Sequence, residues 1–331
     1  MDELYAEGKI MFEEQWQPRK VVIVGAGAVG STFAYALAQS GLADEIVLID
    51  LNRNLVEGQV LDLAHGLLYF QPVQIRVGEK DDYADANVIV ITAGAKQKPG
   101  ESRLGLLQKN TAIIEKIIDD IIDQDSQRVI VMVSNPVDIM TYVALKHSGW
   151  RNSRVIGSGT VLDSARFRYL LSQHCEVDVH NVHAYVLGEH GDSEFAAWSM
   201  TNIAGVPIED YCPKCGKCNN WLQERMEIEE AVRNSAYHII DYKGATYYAI
   251  GLALVRIVGS ILRNQRSVLT VSALLDGEYG LKDVCLSVPC VVSQEGVEHI
   301  VEAVLPNEEL KALSESALVL RNALTQLEQS S

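Results

Sequence analysis

The chain has 331 residues, 48% of them hydrophobic and 22% charged, which is enough for a large core in one big or two fused domains. A formal net charge of -16 argues against nucleic acid or an anionic membrane as partner, and it leaves any anionic ligand dependent on locally placed arginines. Six cysteines in a chain this long are not a disulfide scaffold, and the acidic N-terminus has no apolar signal core, so the expected compartment is the reducing cytoplasm.

Residues 1–19 form a charged arm with scattered apolar residues (Leu4, Ile10, Met11, Phe12, Trp16), either disordered or packed on a neighbouring subunit. A continuous apolar run, Val21 to Val24, then reads as a buried parallel strand. Gly25-Ala26-Gly27-Ala28-Val29-Gly30 follows at once, then a helix-like segment from Ser31 to Gly41 and a second strand from Glu45 to Asp50. A G-x-G-x-x-G between strand and helix, with an acid closing the next strand, is the pattern of a dinucleotide site. Gly25 permits the tight turn. Gly27 lets backbone N–H groups approach a pyrophosphate at the positive helix N-terminus. Gly30 lets helix and strand pack closely. Asp50 can accept from both ribose hydroxyls and would repel a 2′-phosphate, which favours NAD over NADP.

More strands are predicted over 87–92 and 128–133, with a helix between them over 106–122 whose Ile113, Ile114, Ile117, Ile118 and Ile121 fall at helical spacing. This alternation predicts an α/β fold: a doubly wound parallel sheet (Rossmann) over 20–157, followed by an α+β substrate domain over 158–331. Ligands bind beyond the carboxyl ends of such strands. Two stretches lie there: the polar loop 93–103, which could close and carry Arg103 over a substrate, and Ser134-Asn135-Pro136.

In the second half, 154–160 reads as a short strand and turn, and 161–171 as a helix. Asp163 and Arg166 share one face of it, while Arg168 sits roughly 200° further round than Arg166 and must serve another purpose. The next apolar run stops at Gly188, where Glu189-His190-Gly191-Asp192 forms a charged knot. Histidine is the usual proton shuttle near neutral pH, since its ordinary pKa is about 6.5. Tyr211-Cys212-Pro213-Lys214-Cys215-Gly216-Lys217-Cys218 carries two overlapping C-x-x-C spacings, but no fourth ligand stands at a standard spacing. Reduced thiols in a surface loop are therefore expected at Cys212, Cys215 and Cys218, rather than zinc. A long helix over 224–242, a second apolar helix after Lys243, β-rich segments over 268–274 and 284–292, and a helix from about Asn307 complete the chain. Leu310, Leu313, Ala317, Leu320, Leu324 and Leu327 give that last helix one buried face.

From about Arg19 almost to the end, the motifs VVIVGAGAVGS, EIVLID, ITAGAKQKPGESR, VSNPVD, GSGTVLDSARFR, GEHGDS and KGATYYAIG occur in order, and the chain resembles the L-lactate/malate dehydrogenase family, on the side of its bacterial lactate members. The resemblance implies an NAD-dependent oxidoreductase that interconverts pyruvate and L-lactate as a homotetramer. His190 is implied as the acid–base residue, Asp163 as its carboxylate partner, Arg166 as the clamp on the substrate carboxylate and Arg103 as the group that polarises the carbonyl. Asn135, followed by a cis proline in the family, and Thr246 are implied substrate contacts. Gly25, Gly27, Val29, Gly30, Asp50, Thr92, Ala93, Gly94, Val133, Asn135 and Ile250 are implied cofactor contacts. Arg168 and His183 match positions where some members bind fructose 1,6-bisphosphate across a subunit interface. Gln97 stands at the specificity position, where malate enzymes carry arginine. A second substrate carboxylate beside that amide would go unpaired, a discrimination of about a thousandfold or more. The CPKCGKC insertion and the long arm depart from the common pattern of the family.

Overall fold

Apolar runs of β-branched residues are stable as strands only where both sheet faces are covered. The computed structural model, which describes residues 17–95, 102–126, 128–216, 218 and 220–329, covers them that way. Strands β1 (Lys20–Val24), β2 (Glu45–Ile49), β3 (Gln74–Val77), β4 (Val88–Ile91), β5 (Val129–Met132) and β6 (Val155–Gly157) pair in parallel in the order β3-β2-β1-β4-β5-β6. Between them lie helices α1 (Ala28–Ser40), α2 (Arg53–His65), α3 (Arg103–Ile122) and α4 (Val137–Ser148). Every residue of β1, β4 and β5 is buried. β3 was not anticipated: it is a partly exposed edge strand whose polar Gln74 and Arg76 alternate with Ile75 and Val77. α3 starts at Arg103, earlier than the apolar period suggests, because the Ser102 side chain accepts from the Gly105 N–H at 3.0 Å and caps it.

The second half begins with α5 (Val161–Cys175), which runs four residues past its expected end at 171. Short strands β7 (Val182–His183), β8 (Val186–Leu187), β9 (Phe195–Ala196), β10 (Asn202–Ile203) and β11 (Val206–Pro207) follow, then α6 (Ile208–Tyr211), α7 (Trp221–Lys243) and α8 (Tyr248–Leu262). The antiparallel strands β12 (Ser267–Asp276), β13 (Lys282–Ser293) and β14 (Gly296–Ile300) precede the final helix α9 (Asn307–Glu328). β12 joins the edge of β6 where Ser272 pairs with Gly157, so one nine-stranded sheet runs across the expected boundary at 157/158. Its apolar core is shared by both halves, from Ile23 and Ile89 to Val271 and Leu286. A smaller core holds Phe167, Leu171, Trp198, Cys212 and Val232, where α5 meets α6 and α7. Among the described residues, no helix is long and apolar enough to cross a membrane.

Candidate active site

The sheet order reverses between β1 and β4, and a ligand crevice opens at such a point. Gly25 lies there with φ +103, and a Cβ on it would meet Ala93 N and Thr92 Oγ1 at 2.7 Å. A Cβ on Gly30 would stand 1.9 Å from the Gly25 carbonyl oxygen. Thr92 closes the same corner, donating from Oγ1 to that carbonyl at 3.0 Å. Gly27 behaves differently: it is exposed, it caps α1 without a side-chain bond, and a Cβ there would meet nothing within 4 Å. The first N–H groups of α1 therefore face open space of the kind a pyrophosphate fills. Asp50 Oδ2 accepts from the Ala26 N–H at 2.7 Å, which sets the carboxylate beside the glycine turn with lone pairs left for ribose hydroxyls.

From this corner a cavity of about 680 Å³ runs into the second half. Val29, Val133 and Ile250 line it on the cofactor side; Asn135, Arg166, His190 and Thr246 line it on the other. The Asn135–Pro136 peptide is cis, and the Asn135 carbonyl accepts from Asn110 Nδ2 at 2.9 Å. Asn110 Oδ1 in turn accepts from the Ala95 N–H at 2.8 Å, so this buried amide ties together the loops after β4 and β5. Ala93 and Gly94 lie in the first of those loops, outside the cavity wall.

His190 follows β8, where Gly188 pairs with Ser287 of β13 and stops the strand. Two of the three candidate residues of α5 gather beside it, Asp163 in contact with His190 and Arg166 in contact with Asp163. His190 Nδ1 lies 2.7 Å from Asp163 Oδ2, and Arg166 Nη1 donates to Asp163 Oδ1 at 2.5 Å. Asp163 is 1% exposed, so both of its oxygens are spent on cationic partners inside the protein. Burial opposes the imidazolium, but Asp163, then Glu194 and Asp138, overcome it and push the His190 pKa up to about 9. Asp163 is held below its ordinary value: burial works against the carboxylate, while His190 and Arg166 favour it.

Two acids near this centre were not picked out from the sequence. Asp138, 2% exposed in the first turn of α4, accepts the His190 backbone N–H at 2.7 Å, and burial pushes its carboxyl up to about 6. An acid two residues after a strand-end proline was the available signal. Glu194 is also buried, and burial together with the charge of Asp163 pushes it up to about 8. Donor atoms of Asp163, His190 and Glu194 lie within 4.8 Å of one another. Because Asp163 is already committed to His190 and Arg166, this trio reads as a proton-handling group rather than a metal centre.

Arg103 is not brought to the cavity. It is exposed in the first turn of α3, and its charge is felt at the Tyr237 hydroxyl, which donates to Asp192 Oδ1 at 2.7 Å. Gln97 lies outside the described residues, as does the N-terminal arm up to residue 16. Arg168 lines a separate groove of about 420 Å³ between α5 and α8, together with Arg256, while His183 is exposed on β7 and does not line it. At the cysteine loop, His174 is folded in from the last turn of α5 with Nε2 3.0 Å from Cys218 Sγ, a neighbour that spacing along the chain does not reveal.

Residues 19–157 match the family model for the lactate/malate dehydrogenase NAD binding domain, and residues 160–330 match the model for the lactate/malate dehydrogenase alpha/beta C-terminal domain. The chain is 59% identical over 310 residues to an L-lactate dehydrogenase of Treponema denticola, which covers 93% of this chain and 98% of that one. It is 51% identical over 310 residues to an L-lactate dehydrogenase of Acetivibrio thermocellus, covering 94% and 98%. The crystal structure of a lactate dehydrogenase from a Medee basin deep-sea metagenome library superposes with a TM-score of 0.92 at 43% identity, covering 95% of this chain and 100% of that one. The ligand-bound minor L-lactate dehydrogenase of Enterococcus mundtii superposes with a TM-score of 0.90 at 42% identity, covering 93% and 98%.

Proposed function

The chain belongs to the lactate/malate dehydrogenase family, and from that premise we propose that it is an NAD-dependent L-lactate dehydrogenase that interconverts pyruvate and L-lactate. The observation that carries the reading is the His190–Asp163 pair, opening with Arg166 into a cavity walled on its other side by Val29 and Ile250. The glycine turn, the uncapped start of α1 and Asp50 suit a pyrophosphate and a ribose, so NAD fits the residues present. When bound, its nicotinamide supplies hydride to the keto carbon of pyruvate or accepts it from the hydroxyl-bearing carbon of lactate.

The chain's own groups handle the rest. Nδ1 of His190 is engaged by Asp163, which leaves Nε2 for the substrate oxygen. In pyruvate reduction, the imidazolium donates its Nε2 proton to that oxygen as negative charge builds there; in lactate oxidation, neutral imidazole removes the hydroxyl proton. Asp163 orients the ring and favours its charged form. Arg166 gives one nitrogen to Asp163 and has further N–H groups for the substrate carboxylate, a planar match that lysine would lack. Arg103 is assigned to the carbonyl oxygen once the first turn of α3 is drawn over the cavity, where its charge offsets the developing oxyanion. Gln97 sets the preference for pyruvate, since an amide cannot pair the second carboxylate of oxaloacetate. Following NADH absorbance with pyruvate, oxaloacetate and 2-oxoisocaproate tests the assignment: pyruvate should give the highest kcat/KM, and a preference for either other acid would overturn it.

We also assign Arg168 and His183 to a fructose 1,6-bisphosphate site shared between subunits of a homotetramer. Supporting it, Arg168 Nε is buried with no hydrogen-bond partner among the described residues, and Arg256 lines the same groove. A guanidinium left with spare donors suits a phosphate. Titrating the bisphosphate should lower the apparent KM for pyruvate; an unchanged KM rejects the site.

A further inference from the structure

The cysteine loop has no part in this chemistry, yet the fold gathers its thiols. Cys212 is fully buried, and the loop lies across the C-terminal turn of α5, which contributes His174 and Cys175. Donor atoms of His174, Cys212 and Cys218 all lie within 4.8 Å of one another. Cys215, between the two loop cysteines, is partly exposed; its thiol is 3.0 Å from the Cys212 carbonyl oxygen and interacts with Cys218. Gly216 has φ +73, a left-handed conformation that turns the chain back so that Cys218 can face Cys212.

We propose that His174, Cys212, Cys215 and Cys218 form a structural zinc site that staples the loop after α6 to the end of α5. Four arguments converge. The donors are thiols and an imidazole, the soft and borderline set that selects zinc over magnesium or calcium. Tetrahedral zinc with bonds of roughly 2.0–2.3 Å puts neighbouring donors roughly 3.5–3.8 Å apart. The triangle of His174, Cys212 and Cys218, at most 4.8 Å on a side with one edge already at 3.0 Å, needs only small side-chain shifts to reach that spacing, while the partly exposed Cys215 thiol, outside the triangle, must rotate in from the Cys212 carbonyl to complete it. The count also closes: three thiolates and one imidazole fill four positions, as in metal sites that hold a fold together and leave none open for substrate. Finally, three neutral thiols around a histidine gain little from weak S–H hydrogen bonds, whereas zinc compensates their burial directly.

Binding is balanced without a redox partner. Zinc(II) displaces one proton from each of the three thiols and takes the imidazole as a neutral ligand, giving a site of net charge −1 with exposed Lys214 beside it. The competing chemistry is a disulfide between Cys175 and Cys212, whose sulfurs are 3.7 Å apart. Its formation would consume one zinc ligand. The site does not touch the cavity, but it sits at the head of α7, whose far end contributes Ala236 and Ile240 to the cavity wall.

The test uses untagged, full-length protein purified without chelator. Metal analysis should give about one zinc per chain, and cobalt(II) replacement should give tetrahedral d–d bands with thiolate-to-cobalt charge transfer. Cys218→Ser and His174→Ala should each lose the metal or alter that spectrum, while Cys175→Ser and Cys290→Ser should keep both. A strong chelator should lower the thermal midpoint of the wild type and not that of Cys218→Ser. Zinc below about 0.1 per chain with no charge-transfer band overturns the proposal, as does a native Cys175–Cys212 disulfide found by mass spectrometry. A spectrum lost in Cys175→Ser but kept in Cys215→Ser overturns the ligand set.

Discussion

The two ends of α5 face different problems. Near its start, Asp163 is buried with a charge and is stabilised by two cations, His190 and Arg166, that also face the ligand cavity. At its end, His174 and Cys175 meet thiols of a loop, away from any ligand crevice, beside an aromatic cluster in which His174 lies 6.2 Å from Trp221. One helix thus carries two polar clusters of opposite purpose. Where the charged group must stay reactive, its partners are side chains that can exchange protons with a ligand. Where the group only has to hold two segments together, a closed set of donors suffices. The difference predicts that damage at one end is read in chemistry and damage at the other in stability.

The largest effect is expected at the reactive end. His190→Asn should lower kcat for pyruvate reduction by about 10²–10⁴-fold with NADH affinity little changed. A loss below tenfold would break the contrast. Asp163→Asn sharpens it through pH. The wild-type kcat/KM for pyruvate should fall as pH rises through about 9, where His190 loses its proton, and lactate oxidation should rise over the same range. Without the carboxylate, burial is opposed only by the weaker pull of Glu194 and Asp138, and the limb should move down from about 9. The sign for stability is the same: the raised His190 pKa contributes stability that is fully present below about 6.5 and is lost as pH climbs through about 9. An Asp163→Asn profile with its limb still near 9 would remove Asp163 from the role given to it. Substitutions at the cysteine end should leave this limb in place.

Gln97→Arg addresses specificity alone. It should shift the ratio of kcat/KM for oxaloacetate over pyruvate by about a thousandfold, and an unchanged ratio would show that the residue does not choose the acid. The smallest effects come from two glycines three residues apart. Gly30→Ala drives a Cβ to 1.9 Å from the Gly25 carbonyl oxygen and should destabilise the protein by about 1–3 kcal/mol in chemical denaturation. Gly27→Ala meets no protein atom within 4 Å, so its stability should stay within about 1 kcal/mol of wild type while NADH binding, followed by fluorescence titration, weakens. Equal behaviour of the two variants would mean that the space over Gly27 is not where the cofactor lies.

The dinucleotide half was readable in the chain because its parts are close together: strand, glycine turn, helix and acid fall within residues 20–50, and buried parallel strands announce themselves as unbroken apolar runs. Partners of α5 were legible only where a motif or a helical spacing marked them, as for Asp163, Arg166 and His190. The edge strand β3, with alternating polar residues, carried too weak a pattern. Asn110 and Asp138 looked like ordinary helix residues until packing buried them against the Asn135 carbonyl and the His190 N–H. His174 stands 38 positions before Cys212, and no rule of spacing connects them. The order of elements was set by local patterning and composition, while the groups assigned to the reaction came from a family resemblance carried by motifs such as GEHGDS and GSGTVLDSARFR. Which donors share a centre, how far the His190 proton affinity rises, and whether three thiols have a fourth partner were decided by burial and contact, which only the folded chain creates.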